Sequence, residues 1–74
     1  MRLFQIQWRA GHDHGGAFLV AAADASEAEN VGKSHVQNFE LAPARFFAVL
    51  LVPGAVVAGP ARVIIPALFI ERRL

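Results

Sequence analysis

A thirty-residue stretch from Leu41 to Ile70 contains only two charged side chains, Arg45 and Arg62. All its other residues are apolar, glycine or proline. The stretch makes up about two-fifths of the 74-residue chain. A domain of this size buries only about 60% of the surface that its unfolded chain exposes. A membrane, a ligand or a second copy of the chain is therefore expected to cover part of the stretch.

The composition points to one small domain that contains no disulfide. The chain lacks Cys, which fits a reducing compartment, and small domains without disulfides are often stabilised by oligomerisation. Residues 1–9 alternate polar and apolar side chains and lack the continuous apolar core of a signal peptide, so a cytoplasmic location is expected. The formal net charge is +1, with no clustered basic stripe, so no nucleic-acid partner is expected.

Alternation with a period of two predicts a β-strand over residues 3–9. The side chains expected on its buried face are Phe4, Ile6 and Trp8. The glycine-rich segment from Gly11 to Gly16 predicts a chain reversal, and residues 18–22 predict the returning strand. These segments together predict an antiparallel hairpin with a long loop.

A helix is predicted from Ala25 to about Phe39. Asp24 and Glu27 have the spacing of a capping box, and Ser26 with Glu29 is an alternative box. The apolar stripe consists of Ala25, Ala28, Val31, His35, Val36 and Phe39. Gly32 lies within the helix and predicts close approach to a sheet. His35 is expected at the edge of the core, bonded to a backbone carbonyl.

The apolar half predicts further strands. Residues 45–52 show no alternation, which predicts a strand buried on both faces and ended by a turn at Pro53-Gly54. Residues 55–58 predict a short strand. Residues 62–72, interrupted by Pro66, predict an edge strand, a bulged strand or two short strands. The order β-β-α-β-(β)-β predicts an α+β fold: one antiparallel-rich sheet of four to five strands with one helix on one face.

A small membrane-associated protein is an alternative prediction. The longest charge-free run, residues 46–61, has 16 residues, fewer than the roughly 20 that a membrane-spanning helix needs. Pro53, Pro60 and Pro66 would interrupt such a helix, and extending the run would place Arg62 inside it. Short strands fit these breaks better than a spanning helix does.

His12 and His14 form the only local cluster of metal-ligand types. Alternate residues of a strand share a face, and neutral imidazole binds Zn, Ni or Cu. Glycines on both sides favour a plain turn instead, and no second ligand pair follows. The sequence therefore predicts no cofactor and keeps a metal site as an alternative. With no Cys, no Tyr and no strained nucleophile turn, no enzymatic activity is expected.

Arg45, Arg62 and Trp8 are candidate ligand-binding residues. Each arginine is expected at a strand end, facing water or paired with Glu40 or Glu71. Alternatively, the arginines line an apolar cavity between subunits and hold a small apolar anion, because a guanidinium fork fits a carboxylate or phosphate. Trp8 is expected in the core, with an interface anchor as the alternative.

In general character the chain resembles the short proteins, without diagnostic motifs, that mobile (integron-type) gene cassettes encode in environmental bacteria. The resemblance covers no particular segment and assigns no residue role. It implies only a small oligomeric protein that could serve as a binding module. The residues themselves predict a homodimer or tetramer, formed through the sheet face or strands of residues 45–70. The expected core and interface residues are Phe46, Phe47, Val49, Leu51, Ile64, Leu68 and Phe69.

Overall fold

The described part of the chain folds into two central strands, two flanking strands and one helix. The computed structural model describes residues 1–10, 14–37 and 44–72, with the backbone alone at residues 10, 14, 37, 44, 47 and 68–72. The elements are β1 (Arg2–Ala10), β2 (His14–Ala22), α1 (Ala25–Gln37), β3 (Ala44–Val56) and β4 (Arg62–Arg72). The sheet order is β3-β1-β2-β4, and every pair is antiparallel. Helix α1 packs on one face, which confirms the predicted α+β class.

β1 and β2 pair without a break, from Arg2 opposite Ala22 to Ala10 opposite His14. The alternating side chains predicted for the buried face lie under α1, and the core cluster consists of Phe4, Ile6, Trp8, Phe18, Val20, Ala22, Ala28 and Val36. The prediction that the turn extends to Gly16 was wrong. Gly16 belongs to β2 and lies opposite Trp8.

The start of α1 has the predicted cap. The backbone N–H of Glu27 donates to Oδ1 of Asp24 over 2.8 Å, and Oε1 of Glu27 accepts from the N–H of Ala23 over 2.8 Å. The second bond therefore lies one residue earlier than in the usual box. Ala25, predicted on the apolar stripe, is exposed, since the first helical residue precedes the helix's contact with the sheet. The predicted end at Phe39 lies outside the described residues.

Gly32 lets α1 approach the sheet closely. A Cβ at this position would lie 2.8 Å from Cδ1 of Ile6, 3.0 Å from Cε2 of Phe46 and 3.2 Å from Cζ of Phe18. Real Cβ atoms very rarely come this close to other heavy atoms. The close approach predicted from the glycine is confirmed.

Pro53 and Gly54 do not end β3, contrary to the prediction. Between the pairs Phe4–Leu51 and Arg2–Val56, the register advances two residues along β1 and five along β3. The proline and glycine thus form a bulge, and Gly54 takes a φ of 75° there. Part of the predicted separate strand, residues 55–56, belongs to β3.

The outer strands differ from the prediction in one respect. β3 is an edge strand of the described sheet, and its residues Leu50 and Leu51, on opposite faces, are 49% and 47% exposed, so the expectation that it is buried on both faces was wrong. β4 is the other edge strand, and its pairing with β2 shifts register twice. This confirms the bulged edge strand among the predicted alternatives. Pro66 lacks an N–H, and an edge position tolerates that loss.

Candidate functional site

β3 exposes apolar side chains on both sides of the sheet. Leu50 lies opposite Gln5 in β1, and Leu51 lies opposite Phe4. Because successive side chains of a strand point to opposite faces, Leu51 lies on the face that α1 covers and Leu50 on the other face. Their exposed fractions are nevertheless similar, 47% and 49%. This part of β3 therefore extends beyond the cover that the helix provides.

Burial decreases along β3 from its helix-covered part to its end. Phe46 and Val49 are partly buried against the core under α1. The ring of Phe46 meets that of Phe18 edge to face, with 6.0 Å between centroids. Val56, the last residue of the strand, is 85% exposed. The uncovered part of the apolar stretch thus begins near residue 50.

The sheet face opposite α1 has small buried residues beside larger, partly exposed ones. Ala17 and Ala21 of β2 are 1% and 0% exposed on this face. Leu3, half-buried, lies opposite Ala21. Leu19, also half-buried, lies opposite Ile65 of β4, which is 39% exposed. Leu50 shares this face, so apolar side chains of all four strands lie on it.

The seven residues predicted for core and interface fall into different environments. Phe46 and Val49 pack under α1, whereas Leu51 is half-exposed. Ile64 is half-buried at a register shift of β4. The side chains of Phe47, Leu68 and Phe69 lie outside the described residues.

Of the three predicted ligand-binding residues, Trp8 and Arg45 lie near the same end of the sheet, and Arg62 lies at the opposite end. Trp8 is 7% exposed and belongs to the core under α1. Arg45 is exposed near the start of β3, opposite Arg9 of β1. Arg62 starts β4 opposite Ala21, at the other end of the sheet. These positions do not form one site within a single chain.

The guanidinium of Arg62 makes hydrogen bonds within the chain. Its Nη1 donates to the carbonyl oxygens of Ala58 and Pro60, each over 2.9 Å. These two carbonyls belong to the connection between β3 and β4. Arg62 therefore stabilises that connection, a partner set that the sequence did not predict.

His35 connects α1 to β4. Its Nε2 lies 3.0 Å from the carbonyl oxygen of Pro66, and since a carbonyl only accepts, Nε2 carries the proton and donates it. The imidazole also meets the ring of Phe18 edge to face, with centroids 4.8 Å apart. The predicted core-edge histidine bonded to a backbone carbonyl is confirmed.

The predicted metal pair lies beyond what the structure describes, because His12 is outside the described residues and only the backbone of His14 is described. Among the described residues, no group of three or more His, Cys, Asp or Glu residues is placed to hold a metal ion. No helix within residues 1–10, 14–37 and 44–72 combines the length and apolarity needed to cross a membrane.

The predicted interface set omitted three large apolar residues that are exposed on β3 and β4, namely Leu50, Val56 and Ile65. Without alternation, the apolar run does not show which side of the strand each residue faces. For Ile65, the sequence did contain an indication of exposure, because the adjacent Pro66 is typical of an edge strand. For Leu50 and Val56, exposure depends on the register with β1 and on where α1 lies.

Comparison of the chain with protein-family models, with curated protein sequences and with solved structures finds no match. Its function is therefore inferred from its own residues and their geometry.

Proposed function

We propose that the chain is a small self-associating module whose working unit is a homo-oligomer formed through its apolar carboxyl-terminal strands. The observation that carries the proposal is the half exposure of Leu50 and Leu51 on opposite sides of β3. A single exposed leucine is ordinary on a protein surface. Two adjacent leucines, uncovered on both sides of one strand, are typical of a segment that packs against another molecule.

The sheet also supports self-association. Helix α1 covers one face, and the other carries Leu3, Leu19, Leu50 and Ile65 without a second helix among the described residues. A domain this small, without disulfides, gains stability by burying such a face against a partner. Most homo-oligomers are built on two-fold axes, so a dimer is the basic assembly of this proposal.

The test is size-exclusion chromatography with light scattering on tag-cleaved protein without detergent. We expect a dimer or tetramer, and a clean monomer at every concentration would overturn the proposal. Leu50→Asp and Leu51→Asp are expected to give monomer or aggregated protein, because a carboxylate would lie in the apolar contact. Ser34→Asp, at an exposed position of α1, is the matched control and should retain the wild-type size. Wild-type size in both strand variants would contradict the proposal.

A further inference from the structure

We infer that the second copy pairs with the outer edge of β3, so that two four-stranded sheets join into one sheet about a two-fold axis perpendicular to it. The inference rests on the proposed function and specifies the partner surface. Pairing two copies of β3 about such an axis is necessarily antiparallel, which matches every other pair in the sheet. The two helices then lie on the same face of the joined sheet.

The positions of three exposed residues distinguish edge pairing from face packing. A partner packed on the open face would cover Leu50 and Ile65, but it could not reach Leu51, which lies on the helix side. A strand added beside β3 places its side chains on both faces at once. It therefore covers Leu50 and Leu51 together, and it leaves Ile65 about 19 Å away, four strand spacings across the sheet.

The β4 edge has features that block strand addition. Edge strands are commonly protected by proline, bulges and charged residues. β4 contains Pro66 and two register shifts against β2, and its paired region ends at Glu71 and Arg72. β3 also contains a proline and two register shifts, so the difference is charge: the four-residue segment of β4 in unbroken register, residues 69–72, includes Glu71 and Arg72.

The β3 edge has an unprotected segment in its middle. Residues 48–51 pair with residues 7–4 of β1 in unbroken register, and they include no charge and no proline. Register shifts lie on either side of this segment. Half of the backbone N–H and C=O groups of such a segment point away from β1 and can bond a further strand.

The absence of charge allows an identical strand to pair at this edge. A two-fold axis brings each residue near the axis close to its own copy, so a charged residue there would meet the same charge. The sixteen residues from 46 to 61 carry no charge. Residues 48–51 lie within this run, and their side chains can meet their own copies without repulsion.

The test compares three lysine variants, Leu50→Lys, Leu51→Lys and Ile65→Lys. All three residues are between 39% and 49% exposed, and lysine is a charge that natural edge strands use against pairing. The dimer dissociation constant is measured by light scattering over a range of concentrations, and circular dichroism checks the fold. We expect at least a tenfold weaker dimer for Leu50→Lys and Leu51→Lys and an unchanged one for Ile65→Lys.

The other outcomes are distinguishable. Dissociation by Leu50→Lys and Ile65→Lys but not by Leu51→Lys would indicate face packing. This outcome would contradict pairing at the β3 edge but would agree with self-association. Pairing at the β3 edge is also contradicted if the Leu50 and Leu51 variants leave the oligomer unchanged, or if Ile65→Lys weakens the dimer. A monomeric wild-type protein overturns both proposals.

Cross-linking supplies a measurement that does not depend on weakening the dimer. The chain has no Cys, so a single introduced cysteine can bond only to its own copy. Opposite residues of an antiparallel pair have Cα atoms about 4.5–5.5 Å apart, within the range that a disulfide accepts. Mild oxidation of Val49→Cys, Leu50→Cys and Leu51→Cys should give a disulfide dimer that is most abundant at one of the three. Ile65→Cys is the control, and equal or better cross-linking there would contradict the inference.

Discussion

The guanidinium of Arg62 fills the space where a side chain on residue 59 would begin. Its Nη1 lies 2.7 Å from the position that a Cβ of Gly59 would take. The same nitrogen donates to the carbonyls on either side of this glycine, those of Ala58 and Pro60. Gly59 also has a φ of 95°, which residues with side chains seldom adopt. The connection from β3 to β4 therefore depends on these two residues together.

Gly59→Ala is expected to lower the free energy of unfolding by about 2–3 kcal/mol, because it adds left-handed strain and displaces Arg62 from its two hydrogen bonds. Gly54→Ala is the matched control. Its φ is 75°, but nothing lies within 4 Å of the added Cβ, so only the strain of about 1–2 kcal/mol is expected. Urea unfolding measures both variants, and equal losses would show that the contact with Arg62 contributes nothing.

A double-mutant cycle checks the same contact. Arg62→Ala alone should cost about 1 kcal/mol, and much less when residue 59 is already alanine, since the hydrogen bonds are then already lost. Simple additivity of the two losses would argue against Gly59 and Arg62 acting as one unit.

The features that the sequence predicted best are those whose cause is local. In β1, alternation records directly which side of the strand is buried, as at Ile6 and Trp8. The cap of α1 needs only two residues at a fixed spacing, Asp24 and Glu27. Gly32 was informative for the same reason, because a glycine inside a helix has a conformational cost that close packing can offset.

The errors lie where one local pattern fits two structures. A Pro-Gly pair is typical of a turn, yet Pro53 and Gly54 form a bulge because the strand continues beyond them to pair with Arg2. An apolar run without alternation fits a central strand, and it also fits an edge strand that a partner covers. The sequence thus predicted the region of the candidate site but not which of its residues are exposed. The exposure of Leu50 became visible only once the register with β1 was known.

Gly32→Ala is expected to destabilise the protein, although alanine favours a helix by about 1 kcal/mol over glycine. The new methyl group would press on Ile6 and on the rings of Phe46 and Phe18. Overpacking of this kind costs about 1–3 kcal/mol, so a net loss of up to about 2 kcal/mol should appear in thermal or urea unfolding. Ser34→Ala, at an exposed position of the same helix, should be neutral or slightly stabilising. A stabilised Gly32→Ala variant would contradict the close contact.

His35→Ala is expected to cost about 1–2 kcal/mol, because it removes the hydrogen bond to Pro66 and the edge-to-face contact with Phe18. The loss should be local as well as global. Hydrogen exchange at Val63 and Ile65, the paired residues of β4 just before Pro66, should accelerate more than exchange in the middle of β1, since the histidine holds the proline segment of β4 against α1. Lys33→Ala, at an exposed position of α1, should leave both exchange rates unchanged. Uniform acceleration throughout the sheet would instead indicate a role in general packing.

Asp24→Ala is expected to lower stability by about 1 kcal/mol, because it removes the acceptor for the N–H of Glu27 and a negative charge from the start of α1. Asp24→Asn is the conservative variant, and it should recover most of the loss because asparagine caps nearly as well. Ser26→Ala tests the alternative box with Glu29. Since the helix already begins at Ala25, this change should be neutral or slightly stabilising. Urea unfolding measures the loss of stability in both variants. A larger loss from Ser26→Ala than from Asp24→Ala would indicate that the helix starts two residues later in the chain.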